Sequence, residues 1–136
     1  MIKQIIRDPI FLGIKSEEAT KADMDVANDL KDTLMANRER CVGMAANMIG
    51  IRKRVIIANA GIGDIVMFNP VIVKKEGAFE TEEGYLSLDG VRKTTRYQTI
   101  EVEFTDMSWK RQKQKYSGFL AQIIQHECDH LEGIVI

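Results

Sequence analysis

Two histidines and a glutamate stand together near the end of this 136-residue sequence, in the order His126-Glu127-Cys128-Asp129-His130. On a helix, residues four apart share one face, so both imidazoles could bind one metal ion. Glu127 lies about 100° around the helix from His126, within reach of a metal-bound water as a general base. The chain has no other histidine, and the motif sits in an apolar stretch. The spacing therefore favours a metal site over a pair of structural histidines.

The position of this motif bears on the class of enzyme. Zinc proteases that use H-E-x-x-H usually take their third metal ligand from a residue further along the chain. Only residues 131–136 follow here, and Glu132 is poorly placed on the helix. A third ligand must come from upstream, which disfavours a generic zinc protease.

Hydrophobic periodicity predicts the elements that position the motif. The motif helix is predicted over 118–132, with Gly133 as its C-terminal cap. A second helix is predicted over 21–37, with Thr20 as its N-cap. The predicted strands cover 54–59, 65–68 and 98–104, and Asn69-Pro70 is expected to end the second of them. Together these elements predict one α+β domain spanning 1–136, with mostly antiparallel strands around a buried C-terminal helix.

Three short stretches of the sequence carry a family resemblance. They are Gly43-Met44-Ala45-Ala46, Glu83-Gly84-Tyr85-Leu86-Ser87 and Gln125-His126-Glu127-Cys128-Asp129-His130. In the same order, they resemble the three motifs of the peptide deformylases, G-x-G-x-A-A-x-Q, E-G-C-L-S and Q-H-E-x-D-H. Order and spacing also fit, and the resemblance covers nearly the whole chain.

The resemblance implies removal of the formyl group from the N-terminal formyl-methionine of new bacterial proteins. It also implies one divalent metal ion, Fe(II) in the cell with zinc or nickel accepted in vitro. The family's ligand positions are His126, His130 and the Cys of the second motif, here Tyr85. By resemblance, Glu127 is the general base and then the proton donor to the leaving amine, and the backbone N–H of Leu86 holds the oxyanion.

The same resemblance assigns residues to the peptide substrate. Arg96 looks like the family's arginine that binds the substrate backbone. Val42 and Gly43 would offer backbone groups to the peptide, and Met44 and Ile123 could line the methionine pocket.

Two departures from the family pattern fall on the chemistry. Tyr85 replaces the metal-binding Cys, and its phenol is larger, harder and has an unperturbed pKa of about 10. Weakened metal binding and retention with an altered ligand set both remain open. Met48 replaces the Gln that donates to the oxyanion, although a Met in an apolar stretch could equally belong to the core.

Other residues near the motifs have competing interpretations. Cys128 is two residues from each histidine and should point away from the metal, and Cys41, at the first Gly of the family motif, is a weaker candidate ligand. Asp129 should form a structural salt bridge, for example to Arg92. Glu83 could hold the loop of the second motif from behind.

Two functions remain in competition. The first is a metallohydrolase of the deformylase type. Glu127 favours this function, because a pure binding protein would not need a general base. The alternative is a relative that binds N-terminal peptides without turnover, which the replacements at Tyr85 and Met48 favour. Both would meet nascent chains near the ribosome.

Composition limits the remaining classes. Apolar residues make up 45% and charged residues 29%, which is typical of a globular chain. The net charge of −1 predicts no direct nucleic-acid or membrane partner. The first twelve residues contain three charged side chains, Lys3, Arg7 and Asp8, and so lack the apolar segment of a signal peptide. A cytoplasmic location is therefore expected.

Overall fold

The structure is a computed structural model that describes residues 1–84 and 91–134. Its elements in chain order are α1 (Pro9–Leu12), α2 (Met24–Ala36), β1 (Gly43–Ala45), β2 (Val55–Asn59), β3 (Asp64–Gly84), β4 (Val91–Thr105), β5 (Arg111–Ser117) and α3 (Gly118–Leu131). Short 3₁₀ turns at Lys21–Asp23 and Ala46–Ile49 precede α2 and follow β1. The predicted α+β class is confirmed.

All five strands form one antiparallel sheet in the order β1-β2-β3-β4-β5. β1 is one edge, where Gly43 lies opposite Ala58 of β2. β3 and β4 form a long hairpin whose pairing reaches Gly84 opposite Val91. α3 packs against β1, β2 and β4, so the helix that carries the metal motif lies over the middle of the sheet.

The two helices that the periodicity predicts are both present. Thr20 and Asp23 form a reciprocal capping box at the start of the first, in which the Thr20 backbone N–H donates to Asp23 Oδ2 at 2.7 Å. α3 ends at Leu131, and Gly133 follows it with φ of 79°. A Cβ on Gly133 would lie 2.6 Å from the carbonyl oxygen of Gly13, so this position needs glycine for space as well as conformation.

The prediction that Asn69-Pro70 ends a strand is wrong. β3 continues through both residues to Gly84, with register shifts between Phe68 and Val71 and between Ile72 and Lys74. Pro70 lacks an N–H for the ladder, and the strand accommodates it with a bulge in which Asn69 adopts φ of 51°. The Asn69 side chain holds the bulge by accepting from the Ala19 N–H at 2.7 Å.

The hydrophobic core lies between the sheet and the two long helices. Its largest fully buried side chains are Phe68, Leu12, Leu30, Leu34, Met44, Ile56, Ile57, Met67, Ile100, Ile124 and Leu131. They come from α1, α2 and α3 and from β1 to β4, so α3 is fixed on the sheet by packing along its length. No helix within the described ranges is long and apolar enough to span a bilayer.

Candidate active site

A cavity of about 430 Å³ lies where α3, the edge strand β1 and the end of β3 meet. Its lining residues are Arg40, Cys41, Val42, Gly43, Met48, Glu82, Glu83, Gly84, Phe119, Gln122, Ile123, His126, Glu127 and His130. The first and third sequence motifs are therefore brought together in one pocket, along with the start of the second.

Both histidines and the glutamate of the motif line this cavity. The rings of His126 and His130 lie edge to face with their centroids 5.1 Å apart. His130 Nε2 is 3.9 Å from Glu127 Oε1. Burial raises the pKa of Glu127 to about 7 and lowers the pKa of His130 to about 3. The pocket thus holds a neutral imidazole beside a carboxyl group poised to exchange a proton near neutral pH.

Unpaired polar atoms mark the same place. Glu127 Oε1 is one of five buried side-chain atoms without a hydrogen-bond partner among the described residues, and it faces His130 Nε2 in the cavity wall. Buried polar atoms are normally satisfied, so this oxygen indicates a group that binds in the cavity. Two imidazoles beside a carboxyl group fit a divalent metal ion with a bound water.

Glu83 connects the end of β3 to the motif helix. Its Oε1 is 2.9 Å from His126 Nδ1, which leaves Nε2 as the nitrogen available for a metal. Its Oε2 accepts from Gln122 Nε2 at 3.0 Å. Although burial opposes the shift, these hydrogen bonds and those from Arg96 hold the pKa of Glu83 well below its usual range. The charged carboxylate fixes the orientation of the His126 ring, a role that the sequence interpretation of Glu83 did not include.

Arg96 is corrected from a substrate-binding residue to a structural one. Its guanidinium donates to Glu83 at 2.9 and 2.6 Å and to Asp129 at 2.7 Å. The residue is only 4% exposed and does not line the cavity. Because its guanidinium binds the carboxylates of both Glu83 and Asp129, Arg96 links the β3–β4 hairpin to α3. The predicted contact of Asp129 with Arg92 is present at 3.4 Å.

We expect Glu83→Gln to weaken metal binding. The amide cannot accept from His126 and Arg96 with the strength of a carboxylate, so metal affinity should fall about 10–100-fold. Isothermal titration of the metal-free protein with Zn(II) measures this change. Glu80→Gln, on the exposed part of β3, is the matched control; equal affinities in the two variants would contradict the role of Glu83.

Gly43 brings the edge strand against the carboxyl group of Glu127. A Cβ on this residue would lie 2.7 Å from Ile123 Cγ2 and 3.0 Å from Glu127 Oε2, so only glycine allows the approach. The Asn59 N–H donates to the carbonyl of Val42 at 2.8 Å. Because hydrogen bonding alternates along an antiparallel pair, the N–H and C=O of Gly43 then point to the open edge of the sheet. Among the described residues neither group has a backbone partner, so both are available to an extended peptide.

The two methionines near this edge have different places. Met44 is fully buried in the core and does not line the cavity. Side chains alternate along a strand, and the Met44 side chain points away from the cavity. Its assignment to the methionine pocket is therefore corrected. Met48 does line the cavity, and its Sδ accepts from the Ala45 N–H at 3.3 Å. Ile123 lines the cavity as expected.

The remaining ligand and oxyanion positions, Tyr85 and Leu86, lie outside the described residues. Within the ranges that are described, no three His, Cys, Asp or Glu side chains are arranged to hold a metal ion. Cys41 lines the cavity, where burial raises its thiol pKa. Cys128 is packed behind the motif, where burial raises its pKa to about 12.

Sequence reasoning missed the part played by two glutamines. Gln125 exchanges two hydrogen bonds of 2.9 Å with the backbone of Tyr97, which clamps α3 to β4. Gln122 supports Glu83 from one turn before His126. Gln125 belongs to the third motif, and that position could have indicated its importance. Nothing in the sequence distinguished Gln122.

A helix-borne pair of histidines, a buried glutamate and an adjacent strand edge are the features expected of a metallohydrolase that acts on a peptide. Comparison with known proteins gives the family. The model of the family described as "Polypeptide deformylase" matches residues 4–136. The peptide deformylase of Clostridium beijerinckii is 60% identical over the full length of both chains. The chain belongs to the peptide deformylase family.

Solved structures agree with this assignment. A peptide deformylase from Legionella pneumophila superposes with a TM-score of 0.87 at 31% identity, covering 99% of this chain and 83% of that one. The Met-Ala-Ser-bound class I type b peptide deformylase from Acinetobacter baumannii gives a TM-score of 0.86 at 25% identity, covering 99% and 96%. Removal of the formyl group from formyl-methionine is the activity of this family, and its members are metalloenzymes.

Proposed function

We propose that this cavity is where the chain removes the formyl group of formyl-methionyl peptides, with Glu127 as the base. The supporting observation is the buried, unpaired Glu127 Oε1, 3.9 Å from His130 Nε2 in the cavity wall. A carboxyl group held there without a partner is available to a water molecule.

His126 and His130 would hold the metal, together with Tyr85 as an altered third ligand. We propose Fe(II) in the cell, with zinc and nickel as substitutes, since imidazole ligands suit all three. A bound divalent ion lowers the pKa of its water and polarises the formyl oxygen. The hydrogen bond between Glu83 and His126 fixes the imidazole in the orientation that this requires.

Glu127 would move one proton through the reaction. As a carboxylate it takes a proton from water while the oxygen of that water bonds to the formyl carbon. It then gives the proton to the peptide nitrogen as the carbon–nitrogen bond breaks, which yields formic acid and an amine; at neutral pH the acid passes its proton on, so the products are formate and an ammonium group. Its pKa of about 7 suits both halves of the transfer.

The peptide would lie along the open edge of β1. The free N–H and C=O of Gly43 pair with its backbone, and Ile123 on α3 borders the methionine side chain. The Met-Ala-Ser-bound relative carries a tripeptide of this kind. Formyl-methionine begins new bacterial chains, so we place the reaction in the cytoplasm beside the ribosome.

Met48→Gln should accelerate turnover. The Met48 sulfur accepts a hydrogen bond from Ala45 and offers no donor to the oxyanion. A glutamine could accept the same N–H with its Oε1 and direct its Nε2 into the cavity. One such donor is worth about 10²–10³ in rate, measured as kcat for formate release. Met48→Leu is the apolar control, and a glutamine variant no faster than the leucine variant would exclude Met48 as the missing donor.

The second candidate is binding of N-terminal peptides without turnover. It is favoured by the Met48 sulfur, which occupies the cavity as an acceptor. The deciding experiment is formate release from formyl-Met-Ala-Ser by anaerobically purified protein supplied with Fe(II), Zn(II) or Ni(II). Release that requires metal supports the proposal. Tight peptide binding with no release under any metal overturns it in favour of the binding function.

A further inference from the structure

The cavity has a buried end and an open end. Met48, Glu127 and His130 are at most 4% exposed, whereas Val42 and Phe119 are 43% and 63% exposed. The reacting formyl group must lie beside Glu127, so the rest of the peptide leaves past Val42. The exposed Arg40 lies on the lining of that open end.

The direction of β1 then orders the peptide. Met48 follows β1 in the chain and Arg40 precedes it, so a peptide that leaves from the buried end runs antiparallel to the strand. With the formyl-methionine beside Gly43, the next residue passes Val42. Before Val42 the chain forms a turn, in which the N–H groups of Arg40 and Cys41 both donate to the Asn37 carbonyl. The third and fourth residues of the peptide would therefore leave β1 beside this turn, which carries Arg40.

Arg40 is poorly neutralised at this position. Its Nη2 donates to the amide oxygen of Asn37 at 3.1 Å, and among the described residues no carboxylate lies within salt-bridge distance of it. Arg38 on the same turn is instead paired with Asp64 at 2.8 Å and does not line the cavity. Glu82, the exposed acid on the opposite wall, lies across the strand pair from Lys93.

We propose that Arg40 makes this chain prefer formyl-methionyl peptides with an acidic side chain at the third or fourth residue. The inference rests on the proposed deformylase function and specifies its substrate class. The charge of Arg40 at the rim of the cavity attracts an acidic peptide side chain through partly hydrated space. The attraction therefore raises kcat/KM, and the increase becomes smaller as the salt concentration rises. We expect acidic peptides to exceed basic ones by about three- to tenfold in kcat/KM.

The test compares three tetrapeptide series that differ only in charge at residues three and four, Glu, Gln or Lys after formyl-Met-Ala. Formate release is measured with the metal-loaded protein at low salt and again at 0.5 M NaCl, a concentration that shortens the Debye length to about 4 Å. Arg40→Glu and Arg40→Ala are compared with Arg38→Ala, which removes one charge from the same turn outside the cavity. Thermal unfolding confirms that each variant is folded.

The expected result is an acidic preference that disappears in Arg40→Ala, inverts in Arg40→Glu, persists in Arg38→Ala and shrinks at high salt. Equal kcat/KM for the three series, or a preference that Arg40→Glu leaves unchanged, would overturn the role of Arg40 while leaving the deformylase function intact. No formate from any peptide would instead refute the proposed function on which the inference rests.

Discussion

Glu127→Gln should abolish formate release while leaving the metal in place. The amide keeps the shape of the side chain and cannot take a proton from water, so kcat should fall by about 10²–10⁴ or more. Because His126 and His130 are untouched, metal content measured by elemental analysis should stay equal to that of the native chain. Glu80→Gln is the surface control for the same chemical change. Activity that survives in Glu127→Gln would refute the general-base assignment.

The same substitution should stabilise the metal-free protein at alkaline pH. Burial holds the pKa of Glu127 at about 7, above the ordinary 4.5 of the unfolded chain. Below pH 4.5 the group is protonated in both states and costs nothing. Between pH 4.5 and 7 the unfolded chain releases this proton and the folded chain keeps it, so the stability of the folded state falls; above 7 the buried group is charged and the loss is complete. We expect the glutamine variant to gain about 1–3 kcal/mol in free energy of unfolding at pH 8 and little at pH 4.5.

Urea unfolding of both metal-free proteins across this pH range measures the difference. A constant gap between the curves would mean that Glu127 does not titrate where its burial places it. A difference in free energy of unfolding that grows with pH would show that the buried carboxylate of Glu127 destabilises the folded protein.

Tyr85→Cys should raise both metal occupancy and the rate of deformylation. A thiolate is a closer and softer ligand than a phenol, and it matches the second motif of the family. We expect metal affinity to rise at least about tenfold, with a parallel increase in the active fraction. Titration with Co(II) checks this directly, since a thiolate ligand adds an absorption band that the native chain should lack.

A matched control separates ligation from the mere addition of a thiol. Tyr116→Cys introduces the same change on β5, away from the cavity. If both variants bind metal equally, the thiol at position 85 is not a ligand. If Tyr85→Cys binds metal and remains slow, the Met48 position limits the reaction, and combining Tyr85→Cys with Met48→Gln should recover activity.

Local patterns in the sequence were enough to predict the helix that carries the site. The apolar spacing around His126 and His130 identifies α3 and places both rings on one face. The salt bridge expected for Asp129 is present to Arg92 at 3.4 Å, beside a shorter one to Arg96 at 2.7 Å. Helix geometry predicts the direction of the Asp129 side chain but not these partners on β4.

Contacts between distant segments were not predictable in this way. Arg96 was assigned to substrate because its sequence position matches a family arginine, whereas its burial depends on how closely β4 passes α3 and on the carboxylates of Glu83 and Asp129. Met44 and Gly43 could not be sorted between core and cavity until the pairing of β1 with β2 fixed which face each one occupies. Pro70 signals a strand end in isolation, and the bulge that absorbs it depends on pairing with β4.

That bulged strand has a consequence for how the chain can change in length. Between Phe68 and Lys74, β3 carries two more residues than the facing part of β4, one at each register shift. At each bulge two residues of β3 face one residue of β4, so the pairing on either side of the bulge is kept. Glu83 therefore keeps its place opposite Arg92, from which it reaches His126, although β3 is longer here than its partner.

Loss of one of these two residues would restore regular pairing at one bulge and leave Glu83 beside Arg96 and His126. Related chains should therefore be able to differ by single residues here without losing the contact between Glu83 and His126. The two bulges thus absorb changes in strand length before they reach the histidine that Glu83 orients.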